Sequence, residues 1–352
     1  MATMTEHAPF SLPTGFVAAV MPKLYHLLMT TLEGEILRPG TEIMKYILQH
    51  DSGAIFAWQD NNGKSGLEVC LIIIDRLLST EVEDNAASEV GGLAVELVEK
   101  AGAERLGQYL PQLLQAVATR LASAEKVQFI QSLVIVFARL SRASPRDVVA
   151  FLSQLDIGGQ NGLQVVMSKW LENSTHFAGY EEIRQNVLAL SNLYSLQDPL
   201  LSQIMVRGDL IVPTSTRIMT RSRTKNTPDR YTMVSAQLKI LKVLIEELLN
   251  ASGTQSAAAA AAAAELAEDD DAEGWEDVPN VLDLGLSSAK RDLMEYGEDD
   301  SVFPRQHDDE TQILLTEFFV KAGEDNIGNF KELYAQLTDS ERQKLSEMAR
   351  TG

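Results

Sequence analysis

One pattern recurs along the chain from Phe16 to about Val206: an amphipathic segment of roughly ten to eighteen residues, followed by a short break containing Gly, Pro, Asn or Asp. Segments are predicted to start at seven positions: Gly66, Asn85, Gly107, Lys126, Pro145, Asn161 and Tyr180. Every second start is separated by 35 to 41 residues. A two-helix unit of that length is typical of an α-solenoid of HEAT or armadillo type, in which each helix pair buries its apolar face against its neighbours. We therefore expect an all-α fold.

The apolar residues of these segments lie on one helical face. In two consecutive segments they recur at spacings of three and four, which predicts a core made of Leu110, Leu113, Leu114, Val117, Ala118 and Leu121, then Phe129, Ile130, Leu133, Val134, Phe137 and Leu140. Ser144 and Asp198, each followed by proline, are predicted N-caps. Gly102 is predicted to end the helix that starts near Asn85.

The chain divides into five parts by composition. Residues 1–206 are predicted to form the solenoid, and residues 236–253 one further solenoid helix. Residues 311–352 are predicted to form capping helices. Between these parts lie a basic loop, residues 207–235, and a poly-alanine and acidic loop, residues 254–310, which is predicted to be disordered.

The basic loop concentrates cationic side chains, namely Arg217, Arg221, Arg223, Lys225 and Arg230. Three interpretations are open: a solvated loop, a peptide resembling a nuclear-localisation signal, or an intramolecular partner for the acidic loop.

The acidic segment from Glu265 to Glu310 contains 17 Asp and Glu residues against three basic ones, a net charge of −14 out of −20 for the whole chain. A block of like charge without apolar periodicity buries too little surface to offset the entropy of ordering it. The eight alanines that precede it, residues 257–264, are either a nascent helix or a low-complexity spacer.

Two interpretations of the acidic segment compete. It is either a linker that keeps the protein soluble, or a polyanionic arm that binds a basic partner protein in place of nucleic acid. Trp275 favours the arm, because an aromatic side chain among carboxylates can anchor on an apolar surface while the charges steer the approach. The candidate cargo-binding residues are Asp269, Asp270, Asp271, Glu273, Trp275, Glu276, Asp277, Glu298, Asp299 and Asp300.

No catalytic, cofactor or metal site is predicted. The GKS tripeptide at 63–65 lacks the glycine of a phosphate-binding loop five residues earlier, where Trp58 stands. The five histidines are scattered, without a partner at metal-ligand spacing. The acidic segment lacks the rigid pocket that catalytic carboxylates need. The chain is therefore expected to act by binding.

Other features of the sequence indicate the cellular compartment and the class of binding partner. The single cysteine, Cys70, agrees with a reducing compartment. The residues before Pro9 do not resemble a secretory signal, and no apolar run approaches the length of a membrane span. A pI near 4.7 argues against direct binding of nucleic acid and favours basic proteins as partners.

Several long runs carry a resemblance to a known family. The runs EDNAASEVGGLAVELVEKAG (83–102), LPQLLQAVATRLASA (110–124) and FIQSLVIVFARL (129–140), together with the acidic DDDAEGWEDV (269–278), resemble the importin-9 branch of the importin-β superfamily, the karyopherins. The resemblance is to the C-terminal repeats and acidic loop of a fungal member. It covers nearly the whole chain from about Phe16.

This resemblance implies a HEAT-repeat nuclear import receptor that shuttles between cytoplasm and nucleus. It implies core histone dimers and other basic proteins as cargo, the small GTPase Ran as modulator, and nucleoporins as further partners. It also implies that the acidic loop touches the DNA-binding surface of the histone through Asp269 to Asp271, Glu273 and Trp275 to Asp277.

One departure from the family concerns length. Its receptors are about three times longer, and their N-terminal repeats, which carry the principal Ran-binding surface, have no counterpart in this sequence. The chain is therefore expected to be a C-terminal fragment or a truncated product. The alternative is a HEAT-type scaffold unrelated to transport, whose acidic loop only keeps it soluble.

Overall fold

The structure is a computed structural model that describes residues 12–211, 230–253 and 308–351, with only the backbone of residues 347–351. Within these residues the chain forms fourteen α-helices: α1 (Phe16–Thr30), α2 (Gly34–Ala57), α3 (Gly66–Leu77), α4 (Val90–Leu106), α5 (Tyr109–Ser123), α6 (Val127–Ala143), α7 (Pro145–Gln154), α8 (Gly162–Asn173), α9 (Tyr180–Ser195), α10 (Pro199–Gln203), α11 (Ala236–Ala251), α12 (Asp309–Asp325), α13 (Phe330–Ala335) and α14 (Asp339–Thr351).

The longer helices pack in two layers. One layer contains α3, α5, α8 and α11, and the other contains α2, α4, α6, α9 and α12, so that each helix contacts its neighbours in its own layer and its partner in the other. This is the arrangement expected of stacked helix pairs. The predicted all-α solenoid is therefore confirmed.

The predicted core residues lie between the two layers. Ten of the twelve residues in the predicted stripes are buried, and the other two, Leu110 and Leu140, pack half-buried against them. The largest fully buried side chains include Trp170 of α8, whose indole Nε1 donates to Asn186 Oδ1 of α9 at 2.6 Å. The indole N–H is thus satisfied inside the core, and it ties two adjacent helices together.

Most helix starts agree with the sequence prediction within two residues, but the start predicted at Asn85 is wrong. The chain turns from residue 84 to 89, and α4 begins only at Val90. The physical reason is that Asp84, the available capping side chain, instead accepts hydrogen bonds from the amides of Glu125 and Lys126 at 2.7 and 3.0 Å. Gly102 breaks the regular helix as predicted, with φ of 71°, although α4 resumes as far as Leu106.

The two proline-marked starts behave differently. Asp198 is an N-cap, as predicted: its carboxylate accepts a hydrogen bond from the amide of Leu200 at 2.9 Å. The prediction for Ser144 is wrong in one respect. Pro145 does begin α7, but the Ser144 side chain makes no capping hydrogen bond to the first turn. Proline pre-sets the backbone for the first turn and removes one of the free amides there, so this helix begins without a side-chain cap.

Two short antiparallel ribbons interrupt the helices. The first pairs β1 (Asp156–Ile157) with β2 (Gln160–Asn161), and the second pairs β3 (Met205–Leu210) with β4 (Tyr231–Ser235). Residues 207–235 were predicted to be a loop, so this prediction is wrong at both ends. The second ribbon forms because Val206 is buried against the solenoid and pairs with Val234, which draws both strands onto α8 and α11.

Candidate binding surfaces

The two ends of the acidic segment meet at one point of the solenoid. The backbone amide of Asp308 donates to the carbonyl of Ala251 at 3.0 Å, so the chain leaves at the end of α11 and returns at the start of α12. Residues 254–307 lie outside the described residues, and with them all ten candidate cargo-binding residues from Asp269 to Asp300. Their role stays a prediction, but the place from which the segment extends is defined.

The returning end is held by a cluster that we call the clasp: Arg184, Ala251, Asp308, Glu310 and Thr311. The Arg184 guanidinium of α9 lies 3.5 Å from Asp308 and 2.6 Å from Glu310. The hydroxyl of Thr311 donates to Asp308 at 2.7 Å and its amide at 3.3 Å, which makes Asp308 the N-cap of α12. Burial alone would raise the pKa of Asp308, but the Thr311 hydrogen bonds and the Arg184 charge outweigh it and hold that pKa below its ordinary value.

Three residues that were predicted to belong to the acidic loop are thus part of the folded structure. Asp308 caps α12, and Asp309 and Glu310 form its first turn. Carboxylates are favourable there because the helix dipole places partial positive charge at the N-terminus. The sequence contains the signal for this helix start, a capping residue (Asp308) just before an apolar run. The signal is hard to recognise because Asp308 stands among other acidic residues.

Replacing Asp308 by alanine should cost about 1–2 kcal/mol of stability at pH 7, through the lost cap and the lost pairing with Arg184. Asp308→Asn keeps a good cap and should cost less. Because the folded pKa lies below the ordinary 3.8, the carboxylate contributes stability above that value and loses the contribution as pH falls toward the folded pKa. Urea unfolding of the wild type and both variants from pH 7 to 3 measures the free energy of unfolding. The difference between the wild type and Asp308→Asn should shrink as pH falls, and a difference that grows would contradict the prediction.

The second ribbon carries the basic loop. The amide of Ile211 donates to the carbonyl of Arg230 at 2.7 Å, next to the last strand pair of Leu210 and Tyr231. Residues 212–229 lie outside the described residues, including Arg217, Arg221, Arg223 and Lys225. Arg230 is exposed at the base of the loop.

Lys242 of α11 ties the ribbon to the C-terminal helices. It is only 8% exposed, and its ammonium group lies 2.6 Å from Asp209 of β3 and 3.0 Å from Glu341 of α14. Burial opposes its charged form, but the two carboxylates outweigh burial and raise its pKa. The ribbon that carries the basic loop therefore lies beside the middle of α11, whereas the acidic segment leaves the chain beyond the C-terminal end of that helix.

A polar groove of about 540 Å³ crosses the layer of α2, α4, α6 and α9. Ion pairs join neighbouring helices across its floor, Lys45 to Glu89 at 3.1 Å and Arg139 to Glu96 at 3.2 Å. Its α9 end adjoins the clasp, because Glu181 lines the groove and lies 3.7 Å from Arg184. The groove and the root of the acidic segment therefore occupy neighbouring parts of one surface.

The opposite layer has a smaller and more apolar groove. It lies between α3 and α5 and has a volume of about 380 Å³. Its larger apolar lining residues are Leu71, Ile72, Leu78, Tyr109 and Leu113, and its polar ones are Lys64, Glu68, Asp75 and Gln112. Tyr109 is exposed at its edge. Such a groove can accept single apolar side chains of an extended partner.

Neither a membrane span nor a metal cluster is found among residues 12–211, 230–253 and 308–351. No helix in these ranges is long and apolar enough to cross a membrane. No group of three or more His, Cys, Asp or Glu side chains in them is arranged to hold a metal ion.

Comparison with known proteins gives the family. The chain is 32% identical over 354 residues to importin subunit beta-5 of Schizosaccharomyces pombe, across 99% of this chain and 34% of that protein. The chain is similar to importin subunits of the karyopherin family along nearly its whole length. A second importin subunit beta-5, from Saccharomyces cerevisiae, is 32% identical over 92% of this chain and 33% of its own length. Importin-9 of Drosophila melanogaster is 26% identical over 85% of this chain and 29% of its own length.

Two facts qualify the match to this karyopherin family. The chain spans about a third of the length of the curated relatives that it matches. No family model matches it. The expected resemblance to the importin-9 branch is confirmed, and two of these relatives are yeast proteins, in keeping with the expected fungal origin.

Proposed function

We propose that this chain is the C-terminal part of a nuclear import receptor that shuttles between cytoplasm and nucleus and carries basic proteins, core histone dimers among them. It acts by binding and performs no catalysis. The observation that carries the proposal is the clasp, in which the amide of Asp308 meets the carbonyl of Ala251 and roots a long acidic segment at a single point of a helical scaffold. Its relation to two yeast importin subunits supports the transport role.

The acidic segment would bind cargo by charge and by one aromatic anchor. Its net charge of −14 attracts the basic surface that a histone otherwise offers to DNA, and Trp275 would sit on an apolar part of that surface. Attraction between exposed charges is screened over about 10 Å at 0.1 M salt. The proposed contacts are those predicted from the sequence: Asp269, Asp270, Asp271, Glu273, Trp275, Glu276, Asp277, Glu298, Asp299 and Asp300.

Ran and nucleoporins are further proposed partners. The family relation supports Ran as the modulator of cargo binding. The apolar groove between α3 and α5 supports nucleoporins, because its size and lining suit isolated apolar side chains on an extended segment.

Calorimetric titration with a folded core histone dimer tests the cargo site. The intact chain is compared at about 50 and 200 mM salt with two variants, one with residues 254–307 replaced by a short Gly-Ser linker, the other by a neutral linker of the original length. We expect affinity to fall steeply with salt. Both variants should lose about 100-fold or more at low salt, because both lack the charge, and Trp275→Ala alone should lose about tenfold.

The clasp makes the short-linker variant a clean control. Since Ala251 and Asp308 are already hydrogen-bonded, the linker closes without distorting α11 or α12. Closing a shorter loop costs less entropy, so the variant should be up to about 2 kcal/mol more stable than the intact chain. Unchanged histone affinity in both variants would instead favour a scaffold whose acidic segment only maintains solubility.

A further inference from the structure

The polar groove across α2, α4, α6 and α9 contains buried polar atoms without partners. Ser88, Arg139 and Gln185 line it. The atoms Ser88 Oγ, Arg139 Nε and Gln185 Oε1 are buried and have no hydrogen-bond partner among the described residues. Ser88 and Gln185 are only 7% and 8% exposed. Leaving such a group unpaired costs about 1–3 kcal/mol, so a folded protein rarely keeps several together unless water or a ligand satisfies them.

Two more polar side chains line the same groove. Gln49 of α2 and Gln128 of α6 are half-buried, and neither side chain is hydrogen-bonded within the described part of the chain. The groove thus offers one primary amide on α2 and one on α6. An amide side chain presents one donor group and one acceptor side by side, which is the complement of a peptide unit.

The protein itself shows how a glutamine in this groove engages a peptide backbone. Gln131 of α6 donates from Nε2 to the carbonyl of Ala178 at 2.6 Å and accepts at Oε1 from the amide of the same residue at 3.0 Å. One side chain therefore satisfies both backbone groups of one residue. Gln49 and Gln128 are the same chemical group on the same surface, without an occupant from this chain.

We propose that this groove binds an extended peptide segment of a partner protein through its main chain. Packed helices lie 8–10 Å apart, so four helices span about 24–30 Å. An extended chain rises about 3.3 Å per residue, which gives a bound segment of about seven to nine residues. Recognition rests on hydrogen bonds from the groove amides to backbone N–H and C=O groups.

The charges at the two ends of the groove select the peptide further. At the α2 end Arg38 and Lys45 share the single carboxylate of Glu89. At the α9 end Glu181 and Glu182 are both exposed, and the nearby Arg184 is engaged by the clasp. The preferred segment therefore has an acidic residue toward α2, small polar residues between, and a basic residue toward α9.

The test is fluorescence anisotropy with a labelled nonapeptide of Gly, Ser and Thr, carrying one Glu and one Lys at opposite ends, synthesised in both orders. One order should bind, and the same peptide with alternate backbone nitrogens methylated should bind at least tenfold more weakly. The double variant Gln49→Leu/Gln128→Leu should also weaken binding at least tenfold, because it removes two amides. Its melting temperature should be unchanged, since neither amide bonds within the fold.

Gln115→Leu is the matched control, because Gln115 is an exposed glutamine of α5 outside the groove, and peptide binding should be unaffected. Binding should also survive replacement of residues 254–307 by a neutral linker, which separates this site from the acidic cargo site. The proposal is overturned if neither peptide order binds at millimolar concentration. It is equally overturned if backbone methylation or the double glutamine variant leaves affinity unchanged.

Discussion

Replacing Gly91 by alanine should destabilise the protein by about 3 kcal/mol, although alanine is the better helix former by about 1 kcal/mol. Gly91 is buried where α4 crosses α6, and its amide donates to Ser132 Oγ at 2.9 Å. A Cβ at this position would overlap the carbonyl of Ser132, which is backbone and cannot turn away. The two helices would have to separate, which opens the core between them.

The neighbouring glycine is the control for this effect. A Cβ on Gly92 would lie 3.1 Å from Cδ of Lys45, a flexible side chain that can move aside. Gly92→Ala should therefore be neutral or stabilise by up to about 1 kcal/mol. Thermal unfolding measures both, with an expected fall of about 6–12 °C for Gly91→Ala. Equal melting temperatures for the two variants would contradict the close approach of α4 and α6.

Replacing Arg120 by methionine should cost about 3 kcal/mol, because it leaves a poorly solvated carboxylate without its cation. The Arg120 guanidinium lies 2.7 Å from Asp84, and the two side chains are only 7% and 13% exposed. It also donates to the carbonyl of Val82 at 3.2 Å and lies 4.7 Å from the ring centroid of Phe129. The variant thus loses an ion pair, a hydrogen bond and a ring contact at one place.

Arg342 provides a control, because it forms an ion pair of the same length on the protein surface. Its guanidinium lies 2.7 Å from Asp339, the same distance, but the two side chains are 38% and 99% exposed. Water screens such a pair, and breaking it costs less than about 0.5 kcal/mol in a typical helix. Urea unfolding at pH 7 compares Arg120→Met with Arg342→Met. Similar losses in both would show that burial does not decide the strength of the Arg120 pair.

Much of the fold was predictable because it depends on neighbours in sequence. The apolar stripe from Phe129 to Leu140 repeats at the helical period, and the structure buries it as predicted. The errors arise where a distant residue intervenes. Asp84 does not cap the helix expected at Asn85 because it binds the amides of Glu125 and Lys126, about forty positions away.

The candidate sites also differ in whether the sequence alone shows them. The acidic segment and Trp275 are visible in the sequence as composition. The clasp is not, because Arg184, Ala251 and Asp308 are brought together only when α9, α11 and α12 pack. Isolated glutamines such as Gln49 and Gln128 carry no sequence signal at all.

The sequence by itself determined the all-α repeat, the charged loops and the family relation. These follow from local periodicity, from charge density and from extended similarity, all of which can be read along one chain. Tertiary structure decided where the loops are rooted, which glycine is irreplaceable and which polar atoms are left without partners in the groove. Those properties depend on distances between helices, and such distances are set by packing between residues far apart in sequence.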